Sequence, residues 1–114
     1  MSFSKEATFF HVLKNSHPKD ALEVVTQDYL IGSLKPYMHE LTIRVKFFGD
    51  DSMSAKFIGR SNYNVTLDYI RKDKGSAENV ITISNLVIPP QAEIVITFGI
   101  RKSMMQFEQY PNDP

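Results

Sequence analysis

The side chains able to do chemistry are few, and their spacing limits what they can do. Three histidines, His11, His17 and His39, are the candidate general bases. Hydrolytic catalysis needs such a base within reach of a nucleophile and held by an orienting group. His11 stands beside Phe9 and Phe10, His17 precedes Pro18, and His39 introduces an alternating apolar segment; no G-x-S-x-G or H-E-x-x-H pattern accompanies any of them. Cysteine is absent, so this stretch supplies no thiolate nucleophile, no thiolate metal ligand and no disulfide. The acidic run "GDDSMSAKF" lacks the alternating oxygen ligands, glycine and closing glutamate of a calcium loop. The five glycines form no G-x-x-x-x-G-K phosphate cradle. These residues predict no catalytic centre, no metal and no cofactor.

One triplet does carry chemistry. Asn64-Val65-Thr66 is an N-x-T sequon, the acceptor pattern for an N-linked glycan in a chain that meets the lumenal machinery. Its asparagine falls on the polar phase of an alternating segment, which predicts a reachable side chain; an ordinary strand Asn and Thr facing water would look the same.

Those residues need a frame, and the 114 residues suffice for one core. Thirteen basic residues balance thirteen acidic ones, so no overall field attracts nucleic acid. The nearest basic cluster, "IRKDKG", mixes its signs and reads as a solvated turn. No stretch approaches the roughly 18 apolar residues of a membrane span, and "MSFSKEATFFHVLKNSHPKD" lacks the long apolar stretch of a signal peptide.

Residues 1–20 are expected to form an N-terminal helix and turn. Phe3, Ala7, Phe10 and Leu13 suit a helical face, capped by Ser2 or Ser4 and broken at His17-Pro18. From residue 21 to 114 the period is two. In "HELTIRVKFFG", Leu41, Ile43, Val45 and Phe47 alternate with Glu40, Thr42, Arg44 and Lys46; "YNVTLDYI" sets Val65, Leu67 and Tyr69 against Asn64, Thr66 and Asp68. "ALEVVTQDYLIG", "NVITISNLVI" and "AEIVITFGI" are further β-rich runs, the last two separated by a "PPQ" turn. Short strands with turn signals and no interleaved helices predict an all-β fold, an antiparallel β-sandwich with a short N-terminal helix. Each Val, Leu, Ile or Phe on the inward faces should contribute roughly 1.5–3 kcal/mol when buried.

The order "NLVIPPQAEIVITFGIRKSMMQFEQYPNDP" resembles the late lumenal segment of the GPI transamidase subunit family called phosphatidylinositol glycan class T. There a strand, a basic residue, an apolar pair and an acidic-x-Tyr-x-x-Asp-Pro sequence lead on to Gly-Phe. Lys102, Met104, Met105, Glu108, Tyr110, Asp113 and Pro114 occupy the matching places, with Val95, Thr97 and Phe98 slightly shifted in phase. Upstream, Tyr37, His39, Leu41, Thr42 and Ile43 match the family's "Tyr-x-His-x-Leu-Thr-Ile" strand. The resemblance covers residues 24–114 and implies a fragment-like stretch ending just before Gly-Phe.

The same resemblance implies a noncatalytic scaffold in the endoplasmic reticulum lumen, supporting attachment of GPI anchors alongside other GPI transamidase subunits, with the cysteine nucleophile on a different subunit. Family members can be joined to that subunit by a disulfide, which this cysteine-free stretch cannot do. The first candidate partner contact is the tail: Met104, Met105, Phe107, Tyr110, Asp113 and Pro114, because Met, Phe and Tyr are enriched at interfaces. A second reading stays open, a freestanding ligand- or carbohydrate-binding sandwich with Tyr63, Tyr69 and Tyr110 along a groove.

Overall fold

A computed structural model describes residues 6–49, 56–72 and 75–102. The described residues form seven strands, β1 (Glu6–Asn15), β2 (Leu22–Ile31), β3 (Leu34–Phe47), β4 (Lys56–Phe57), β5 (Asn64–Arg71), β6 (Ala77–Ile88) and β7 (Ala92–Lys102), with a 3-10 turn at Arg60–Asn62. They make two sheets, β1-β7-β3-β4 and β2-β6-β5, in which every pairing is antiparallel. We call these sheet A and sheet B. The chain passes between them at the β1–β2, β2–β3, β4–β5 and β6–β7 connections. Sandwiching two pleated layers in this way buries one face of each.

Among the described residues the expected N-terminal helix is not formed; residues 6–15 are strand β1, paired along its length with β7. The reason lies in what the inward phase contains. Phe9, His11, Leu13 and Asn15 sit opposite Phe98, Ile96, Ile94 and Ala92, so the buried alternation includes two polar residues and was hidden from a hydrophobic count. Phe10, assigned to the apolar face of a helix, instead points outward and is exposed. Thr, Phe and Val in the run also favour a pleated, half-buried surface.

The core is drawn from both sheets. Ile43, Ile94, Ile96 and Phe98 of sheet A meet Leu30, Ile81, Ile83, Leu86 and Ile88 of sheet B in one buried cluster that also takes in Leu41 and Tyr63. Phe9 stacks on Phe98 with ring centroids 4.6 Å apart. The alternation of β3 holds through Leu41 and Ile43, while Phe47, its last residue, is exposed. Val65 packs against the core, whereas Leu67 and Tyr69, in the same phase, remain exposed.

Two irregularities matter for the surface. Between Val24 and Thr26 the partner strand advances from Leu86 to Ile83, one residue more, and the extra residue Asn85 has φ of 61°. Asparagine is among the few residues that tolerate this left-handed backbone, so it suits a bulge here. In sheet A, β3 advances five residues from Tyr37 to Thr42 while β7 advances two, from Gly99 to Thr97. That excess chain contains Glu40.

Candidate interaction surface

Antiparallel register places directly opposed residues on one face, and so the outer face of sheet A can be read row by row. Thr8, Gly99 and Tyr37 form one row; Phe10, Thr97 and Thr42 the next; then Val12, Val95 and Arg44; then Lys14, Glu93 and Lys46. The Thr42 and Thr97 hydroxyls lie 2.6 Å apart in a hydrogen bond. Beside them Phe10 and Val12 keep 61% and 46% of their surface in solvent. These two apolar side chains thus lie as a strip between the threonine rows and the charged row of Lys14, Glu93 and Lys46.

At the first row the strip runs into a hollow of about 310 Å³ lined by Ala7, Thr8, Tyr37, Glu40, Gly99 and Ile100. The β3 bulge carries Glu40 back over Gly99, where a Cβ would overlap Glu40 Oε1. The absence of a side chain at 99 thus makes room for a carboxylate. The Arg101 guanidinium stands 4.3 Å from the Tyr37 ring centre, a cation–π distance. His39 packs against Tyr37 at 5.3 Å and its Nε2 is 3.8 Å from Glu40 Oε2. Tyr37 and His39, two of the residues that carry the family resemblance, therefore meet at the rim of this hollow.

Two of the histidines are held by hydrogen bonds. His11 Nδ1 is 3.0 Å from Asp28 Oδ2, across the two sheets. His17 Nδ1 accepts from the backbone N–H of Lys19 and Asp20 at 3.1 and 2.8 Å, organising the turn at Pro18. Among the described residues no group of three or more His, Asp or Glu side chains gathers as metal ligands would, and no helix is long and apolar enough to cross a membrane.

Asn64 opens β5, an edge strand of sheet B, and its side chain and that of Thr66 are exposed on the outer face. Met104, Met105, Phe107, Tyr110, Asp113 and Pro114 lie outside the described residues. Tyr63 is committed to the core with its phenol pKa raised above 10.0, because burial disfavours the phenolate more than nearby Arg60 favours it. Tyr69 sits six residues further on, roughly 20 Å along an extended strand, so these two tyrosines do not share a groove.

The decisive comparison is at the level of family. A family model described as the Gpi16 subunit, a GPI transamidase component, matches residues 2–114. The chain belongs to this family. Neither the curated proteins nor the solved structures give a match. The Gpi16 assignment takes in β1 as well as the segments that carried the resemblance, so the strip on sheet A is part of the family's own sequence span.

Sequence reasoning missed Phe10 and Val12 as a surface and missed Asn15 and Asp28 altogether. The detectable signal was the period-two pattern with His11 and Asn15 in the inward phase, which becomes visible only once polar residues are allowed a buried partner.

Proposed function

We propose that this chain is a noncatalytic interaction module of a GPI transamidase, working on the lumenal side of the endoplasmic reticulum and holding other subunits of the complex. Membership of the Gpi16 family across residues 2–114 carries this reading. The exposed strip of Phe10 and Val12 on sheet A gives it a surface. Aromatic and aliphatic side chains displaced from water at the centre of an interface supply most of its affinity. A thiol nucleophile for the transamidation must come from elsewhere, since this stretch has none. Residues 104–114 are proposed to share in the contact through Met104, Met105, Phe107 and Tyr110, with Asp113 and Pro114 closing the segment; their composition supports this.

The test is recovery of the chain from native membranes through an affinity tag. Transamidase subunits should copurify with it, and Phe10→Glu with Val12→Lys should reduce their recovery at least tenfold while leaving the melting temperature of the chain within a few degrees. Recovery of the chain without any transamidase subunit would overturn the proposal.

A further inference from the structure

We infer that Asn64 carries an N-linked glycan, standing at the edge of sheet B beside the row of hydroxyls and amides on its outer face. The inference rests on the lumenal reading above, and three observations add to it.

The first is placement. The only N-x-S/T triplet in the sequence coincides with the first turn of chain into an edge strand. Asn64 lies at the open side of sheet B, with β6 on its other flank. An edge asparagine projecting outward leaves space for a bulky, hydrated sugar that a central strand would not give.

The second is the geometry of the triplet. Asn64 and Thr66 face outward, opposite Ser84 and Thr82, while Val65 is turned inward opposite Ile83 and packs on the core. Folding therefore buries only the middle residue, the one position of the sequon whose side chain the glycosylation chemistry does not need.

The third is what the sugar would meet. Across the sheet from Thr66 run Thr82 and Gln27, with Gln27 Nε2 donating to Thr82 Oγ1 at 3.5 Å and Tyr29 donating its hydroxyl to Gln27 Oε1 at 3.1 Å. This is a row of hydroxyls and amides, suited to hydrogen-bonding sugar hydroxyls directly or through water.

The experiment expresses the full chain in its own cells and follows two readouts on intact microsomes: protection from added protease, and gel mobility before and after removal of N-glycans with peptide-N-glycosidase. The expected result is a protected chain whose mobility increases by one glycan on enzyme treatment. Asn64→Gln and Thr66→Ala should migrate at the faster position without treatment, and Thr66→Ser should retain the shift. A protected chain with no shift overturns the glycan and spares the lumenal reading; a protease-accessible chain with no shift overturns both. A shift that persists in Asn64→Gln also overturns the assignment.

Discussion

The imidazole Nδ1 of His11 lies 3.0 Å from Oδ2 of Asp28, a bond between two strands that share no ladder. β1 and β2 are edge strands of opposite sheets, and the pair closes the sandwich on that side. Inward-pointing charge at an edge is also a device that discourages a further strand from adding there. The side chains keep 29% and 14% of their surface exposed, so the pair is partly screened. His11→Ala and Asp28→Ala should each cost about 1–2 kcal/mol in chemical denaturation, and the double variant should cost clearly less than their sum. Strict additivity would show that the two residues do not act together.

A second polar residue holds the C-terminal end of β1. Asn15 Nδ2 donates to the carbonyls of Asp20, Ile88 and Pro89 at 2.9, 3.1 and 3.2 Å, while its Oδ1 accepts from the His17 N–H at 3.0 Å. It thereby ties the β1–β2 loop to the β6–β7 turn. Asn15→Ala should destabilise by about 1–3 kcal/mol because buried carbonyls lose their donor. Asn15→Asp should cost more, since a carboxylate would face those same carbonyls with no proton to offer. An aspartate variant as stable as wild type would refute this role.

Those two residues also show where the sequence is readable and where it is not. Leu41 and Ile43 in β3 alternate with polar neighbours, and Ile94, Ile96 and Phe98 belong to the β-branched run of β7; all five lie in the core, so the all-β character could be seen directly. β1 could not, because His11 and Asn15 occupy inward positions and are satisfied by Asp28 and by backbone carbonyls far away in sequence. Long-range hydrogen bonds leave no local period. The outer-face strip was hidden for the complementary reason: Phe10 and Val12 look like core residues until the register with Thr97 and Val95 shows which way they point. The reach of Asn64 was legible from alternation alone, and its position on a sheet edge was not.

Tyr63 gives the alkaline limit of the fold. Its pKa is raised above 10.0 by burial, so the folded state holds the phenolic proton more tightly than the unfolded chain does. The stabilisation is complete below pH 10.0 and is lost as pH rises through the higher folded value, because unfolding then releases a proton. Denaturation curves collected from pH 8 to above 10.0 should show falling stability for the wild type and a shallower fall for Tyr63→Phe. An identical slope in the variant would mean that another group controls the alkaline transition.

Gly99 and Glu40 test whether the hollow on sheet A is shaped as described. A Cβ at position 99 would overlap Glu40 Oε1, which is the free end of a flexible side chain, while the next neighbour, Tyr37 Cδ2, would stand at an ordinary 3.9 Å. Gly99→Ala should therefore push Glu40 out of the hollow without unfolding the sheet. Alanine restricts the unfolded chain more than glycine does, a gain of roughly 0.5–1 kcal/mol, and displacement of Glu40 should offset it, leaving stability nearly unchanged. In a Glu40→Ala background nothing obstructs the new methyl group, and the same Gly99→Ala substitution should then stabilise by about 0.5–1 kcal/mol. Equal effects of Gly99→Ala in the two backgrounds would show that the carboxylate does not lie over the glycine, and with that the floor of the hollow would have to be redrawn.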